Sequence, residues 1–81
     1  MTHTDDRGAR RTEYSITWIK ARLYRYLEGK TDEPAVLSDI KKAKRYGVTK
    51  DHIQIITESL PFERSSERFT LLLKLLREVW S

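Results

Sequence analysis

The sequence predicts an all-α protein, a compact bundle of four short helices. Apolar residues recur at spacings of three and four in four separate segments, and turn or capping residues stand between those segments. No segment alternates apolar and polar residues as a strand does, and no Asn-Gly or Asp-Gly hairpin turn occurs. With 81 residues, 35% of them charged and 38% hydrophobic, the composition is that of one small globular domain.

The first segment is polar and shows no periodicity. Residues 1–11 are therefore expected to form a flexible basic N-terminal arm, ahead of a single helical domain over residues 12–81. In the first helix, Thr12 or Ser15 is the expected cap and Gly29 the expected stop. Its apolar face consists of Ile16, Ile19, Leu23 and Leu27.

The same helix interleaves aromatic and basic residues. These are Tyr14, Trp18, Tyr24 and Tyr26 among Lys20, Arg22 and Arg25. Such a mixture packs a core in part, and it can also stack on unpaired bases or hold a protein partner. Tyr24 and Arg25 are expected to point outward.

A capping residue, early acidic charge and proline over residues 31–34 predict the start of the second helix. Its expected core positions are Val36, Leu37, Ile40 and Ala43. Gly47 can take a left-handed conformation and end this helix, and Thr49 can cap a third helix over residues 50–59.

Pro61 ends the third helix, and Ser65 or Ser66 is the expected cap of the fourth. The inner face of the fourth helix consists of Phe69, Leu72, Leu73, Leu76, Val79 and Trp80. Leu71 and Leu75 widen the apolar arc to about 200°, more than packing on one side requires. Either this helix has neighbours on two sides, or Leu71, Leu75 and Trp80 form an interface, as in a homodimer, and a monomer exposes both leucines.

The segment 39–60 resembles the helix-turn-helix unit of transcription regulators. The resemblance rests on five positions at the spacing of that unit, namely Ala43, Gly47, Val48, Ile53 and Ile56. Residues 39–51 contain five cations and two carboxylates, a net charge of +3 within a chain of +4.

The resemblance implies binding to double-stranded DNA. Phosphates would be neutralised by Lys41, Lys42, Lys44, Arg45 and Lys50. Lys50 and Gln54 would touch base edges, and Thr49 completes the predicted nucleic-acid-binding set. The carboxylates of Asp51 and Glu58 on the same helix oppose phosphate, and an ordinary helical corner with a solvated basic face gives the same pattern.

Basic residues of the arm extend this hypothesis. Arg7, Arg10 and Arg11 resemble the minor-groove arm of some helix-turn-helix domains, although a solvated tail has the same composition.

The leading functional hypothesis is a cytoplasmic transcription regulator, a small homodimeric DNA-binding protein of the helix-turn-helix type. The alternative is a helical adaptor or inhibitor, of the kind that phages and plasmids encode, which binds a protein through helix one or helix four and binds no nucleic acid. The sequence contains no cysteine and no glycine-rich phosphate loop, and no spaced carboxylates complete a metal site with His3 or His52. No enzyme, cofactor or metal site is therefore expected. No apolar run reaches membrane-spanning length, so no membrane partner is expected.

Overall fold

The computed structural model describes the backbone of residues 3–81 and the side chains of residues 14–81. Within this part the chain forms four helices and no strand, which confirms the all-α prediction. The helices are α1 (His3–Leu27), α2 (Glu33–Arg45), α3 (Lys50–Ser59) and α4 (Glu67–Val79).

The start of α1 differs from the expectation. The helix begins at His3, ahead of the expected caps Thr12 and Ser15. A capping residue only favours a helix start, and no proline in this segment prevents the helix from extending further towards the N-terminus. The side chains of the expected arm, residues 1–11, lie outside the described residues, so its contact with DNA stays a prediction.

The core lies where α1 packs against the other three helices and α2 packs against α4. Buried positions that the periodicity predicts are Ile19, Leu23, Leu27, Val36, Ile40, Ala43, Phe69, Leu72 and Leu76. Three positions of the segment that resembles a helix-turn-helix, Val48, Ile53 and Ile56, are also buried. Tyr26 and Leu60 are also buried and were not expected there. Other expected core residues are only partly buried: Ile16, Leu37, Leu73, Val79 and Trp80.

The exposure expected of Leu75 in a monomer is wrong. Leu75 is 5% exposed and belongs to the intramolecular core, whereas Leu71 is partly exposed. The reason is that α4 contacts both α1 and α2, so neighbours on two sides cover a wider arc of the helix than one side would.

The connection between α1 and α2 closes on a glycine. Gly29 has φ 82°, and its N–H donates to the carbonyl of Tyr26 at 3.0 Å. The N–H of Lys30 donates to the carbonyl of Arg25 at 2.9 Å, which completes a Schellman motif. Asp32 then caps α2 through its carboxylate.

A side chain of α4 reaches this connection. The Arg68 guanidinium donates from Nη1 to the carbonyls of Tyr26 at 3.0 Å and Thr31 at 3.3 Å. It also lies 5.0 Å from the centroid of the Tyr26 ring. Arg68 therefore joins the first turn of α4 to the end of α1 and the start of α2.

Candidate nucleic-acid interface

The corner between α2 and α3 is built on Gly47 and Val48. Gly47 has φ 98°, and its N–H donates to the carbonyl of Lys44 at 3.1 Å. The N–H of Val48 donates to the carbonyl of Ala43 at 3.1 Å, so α2 ends in a second Schellman motif. Val48 is 2% exposed and fills the corner.

A reciprocal pair of hydrogen bonds sets the start of α3. The Thr49 hydroxyl accepts the N–H of His52 at 3.2 Å, and Nδ1 of His52 accepts the N–H of Thr49 at 3.1 Å. This is a capping box in which histidine takes the place that Glu or Gln usually holds. Thr49, predicted to bind nucleic acid, thus uses its hydroxyl to fix α3, and His52 is a structural residue that sequence analysis missed.

The C-terminal end of α4 contacts the corner. The indole Nε1 of Trp80 donates to the carbonyl of Val48 at 3.0 Å. Nζ of Lys44 donates to the carbonyl of Val79 at 2.6 Å, where its charge complements the negative end of the α4 dipole. The expected interface residue Trp80 and the expected phosphate ligand Lys44 therefore both have partners within the chain.

The remaining residues of the predicted site lie on the surface. Exposed side chains belong to Lys41, Lys42, Arg45, Lys50 and Gln54. On α3 the side chains of Ile53, Ile56 and Thr57 are buried. The solvent-facing side of α3 also carries Asp51 and Glu58, as expected, and Ile55, which is 65% exposed and was not singled out in the sequence.

An aromatic cleft adjoins the end of α2. Its volume is about 240 Å³, and it is lined by Tyr14, Ser15, Trp18, Lys42 and Tyr46. Nζ of Lys42 lies 5.7 Å from the centroid of the Trp18 ring and 6.0 Å from that of Tyr46, within the range of cation–π attraction. Lys42 thus belongs to the corner and to this cleft at once.

The other outward residues of α1 have contacts of their own. The Arg22 guanidinium lies 5.5 Å from the Trp18 ring and 3.8 Å from the Asp39 carboxylate. Tyr24, 38% exposed, meets Phe62 edge to face with centroids 5.0 Å apart. Tyr24 is therefore outward, as predicted, but partly covered, because the connection between α3 and α4 folds back on it.

Over the described residues there is no group of three or more side chains suited to holding a metal ion. None of the helices in that part of the chain has both the length and the apolar character needed to cross a bilayer. Compared by sequence and by fold, the chain matches no protein-family model, no curated protein and no solved structure.

Proposed function

We propose that this chain is a small DNA-binding protein of the helix-turn-helix type, which presents the first turns of α3 to the major groove of double-stranded DNA. One observation carries the proposal: the corner fixes the start of α3 through its backbone while Arg45, Lys50 and Gln54 remain exposed. A rigid corner with free polar side chains is what groove reading requires.

The exposed polar residues of α2 and of α3 have different roles in this proposal. Lys41, Lys42 and Arg45, on the last turns of α2, neutralise phosphates, whereas Lys50 and Gln54 on α3 contact base edges. Lys44 contributes less to DNA binding than its charge suggests, because its ammonium group is bonded to the Val79 carbonyl.

Carboxylates limit the affinity. Asp51 and Glu58 are exposed on the same helix and repel phosphate. Binding should therefore be modest and most visible at low salt, where screening of the attractive charges is weakest. Homodimerisation, which would align two α3 helices on a two-fold site, is part of the proposal and uses the exposed part of Leu71.

A gel shift with duplex DNA at about 50 and about 200 mM salt tests the proposal. The parent should bind at the lower concentration and lose affinity steeply at the higher one. Replacing Lys42, Arg45 and Lys50 together by Ala should weaken binding and flatten the slope of log affinity against log salt by about 0.9 for each phosphate that is no longer neutralised.

A matched control removes the same charge elsewhere. Lys20, Arg25 and Lys74 are exposed and lie outside the corner, so their triple replacement by Ala should weaken binding far less. Both variants should keep the helical circular dichroism spectrum of the parent. No binding by the parent at low salt, or an equal weakening in the two triple variants, would refute the proposal.

A further inference from the structure

A groove of about 360 Å³ runs between α3 and α4. Each helix contributes residues at positions i, i+3, i+4 and i+7, so each presents one continuous face to the groove. The α3 face consists of Lys50, Ile53, Gln54 and Thr57, and the α4 face consists of Leu73, Leu76, Arg77 and Trp80.

The floor of this groove is apolar. Ile53 and Leu76 are each 5% exposed, and the partly buried Leu73 and Trp80 flank them. Seven residues of helix rise about 10 Å, so the groove extends along roughly two helical turns. Two adjacent helix faces of this length can form a seam against which a third helix packs in a bundle.

The charge of the groove has one sign. Lys50 and Arg77 are the charged residues that line it, and no carboxylate joins them. Both ion pairs within residues 14–81 lie elsewhere, at Arg22–Asp39 and Lys30–Glu28. The two cations are therefore available to a ligand.

The cations also lie at one end. The hydrogen bond from Trp80 to Val48 places the C-terminal end of α4 beside the start of α3. Lys50, the first residue of α3, is thus at the Trp80 end of the groove, and Arg77 lies within one turn of Trp80. Thr57 and Leu73 form the opposite, uncharged end.

We propose that this groove binds an amphipathic helix of a partner protein. The apolar stripe of the partner helix covers about two turns, and the carboxylates of that helix cluster at the end that meets Lys50 and Arg77. Charge complementarity selects an acidic helix over a basic one. The apolar stripes of the helices already pack on one another over residues 14–81, so this part of a second copy offers no free helix of that kind.

The groove does not depend on the DNA-binding proposal, but the two surfaces overlap. Lys50 and Gln54 line the groove and also belong to the proposed DNA surface. A helix in the groove should therefore compete with DNA if both proposals hold, and the groove can be tested without DNA.

The test uses Trp80 as a reporter. The chain has two tryptophans, so Trp18→Phe leaves Trp80 as the single one, at the basic end of the groove. The probe is a synthetic helical peptide of about 15 residues, Ala-rich, with Leu at i, i+3, i+4 and i+7 and two Glu at one end. The control peptides carry Lys in place of Glu, or Ser in place of Leu.

We expect the Glu peptide to shift the Trp80 emission to the blue and to bind about tenfold more tightly than the Lys peptide, the effect of two exposed ion pairs. The Ser peptide should not bind. Because all three peptides meet the same protein, equal binding of the Glu and Lys peptides, or no binding of either, would overturn the proposal whatever the variants do.

Reversing the charges of Lys50 and Arg77 tests whether the peptide binds in the groove. Lys50→Glu with Arg77→Glu should reverse the preference in favour of the Lys peptide, whereas Lys20→Glu with Arg25→Glu, the same charge change on α1, should leave it unaltered. An unchanged preference in the groove variant would mean that the peptide binds elsewhere. A different result without peptide would also overturn the proposal. If the Trp80 emission were already blue-shifted and varied with protein concentration, and light scattering showed dimers, the groove would bind a second copy of this chain and not a partner helix.

Discussion

Two glycine turns of this protein share one local construction. After α1 and after α2, a glycine with positive φ closes a Schellman motif, and a polar residue then caps the next helix. The residues that follow the glycines differ, since Lys30 is exposed and Val48 is 2% exposed. The second turn is therefore part of the core, and the first is part of the surface.

The two turns also differ in how α4 holds them. The first turn receives the Arg68 guanidinium from the start of α4, and the second receives the Trp80 indole from its end. Arg68 is exposed, so water can replace part of its interactions, whereas the partly buried Trp80 indole donates to a carbonyl of the core residue Val48. Turns with the same local geometry should therefore respond unequally to mutation.

The largest effect is expected at the glycines. Gly47→Val should destabilise the fold by about 3 kcal/mol, because a β-branched residue is strained at positive φ and the buried Val48 prevents the turn from shifting. Gly29→Val has the same strain at φ 82° but an exposed neighbour, so its cost should be clearly smaller. Urea unfolding of both variants measures the difference, and equal destabilisation would contradict the contrast between the turns.

Trp80→Phe is next in size. Phenylalanine keeps most of the apolar contact but removes the Nε1 donor and leaves the Val48 carbonyl without it, at a cost of about 2 kcal/mol. Trp18→Phe is the matched control on α1, where the substitution removes no such hydrogen bond to the corner. If Trp80→Phe were as stable as Trp18→Phe, the hydrogen bond from α4 would not stabilise the second turn.

Arg68→Met should cost about 1 kcal/mol. The variant keeps the length of the side chain but removes both hydrogen bonds, to the carbonyls of Tyr26 and Thr31. Since Arg68 is exposed, water replaces part of these interactions. Thermal unfolding checks this, with Arg64→Met as the control, since Arg64 is also exposed and lies 5.8 Å from the Phe69 ring but donates no hydrogen bond to either turn. A destabilisation by Arg68→Met larger than that of Trp80→Phe would reverse the order of the two turns.

The smallest effect concerns pH at the first turn. Burial raises the pKa of Tyr26 above its ordinary value of 10.0, the Arg68 guanidinium lowers it, and Glu33 and Glu67 raise it. The pKa of Tyr26 is therefore higher in the folded than in the unfolded protein, so the protonated phenol contributes to the free energy of unfolding. This contribution is complete below about pH 10 and is lost as the pH rises through the folded pKa.

Tyr26→Phe should abolish this part of the alkaline loss of stability, whereas Tyr24→Phe should keep it. Absorbance of tyrosinate, compared between the parent and Tyr26→Phe, should show that the pKa of Tyr26 lies above its ordinary value, and this pKa should rise further in Arg68→Met. A Tyr26 that ionises at its ordinary pKa would contradict the burial of this ring.

The features that the sequence predicts are those with local causes. Gly47, Thr49 and Ser66 have the conformations or caps expected of them, and α3 covers the expected residues 50–59. The exposure of Lys42, Arg45, Lys50 and Gln54 follows from the helical period, while their binding to DNA stays a prediction.

The features that the sequence does not predict depend on the placement of distant helices. Leu75 and Tyr26 are buried because α4 and α1 have several neighbours, which the period of one helix does not reveal. Lys44 is expected to bind phosphate and Trp80 to lie on the inner face or at an interface, and their hydrogen bonds arise only once α4 lies against the corner. A single sequence does not contain that arrangement in any local pattern.

The two contacts of α4 also determine how the protein should open. They join residues 42 and 32 positions apart, Arg68 with Tyr26 and Trp80 with Val48, so each closes a long loop of chain. When α4 detaches, both turns lose their distant partner in the same event. The amides of Gly29 and Gly47 should therefore exchange with solvent together, in one sub-global unit, and the corner should reach its final rigidity during folding only after α4 has docked.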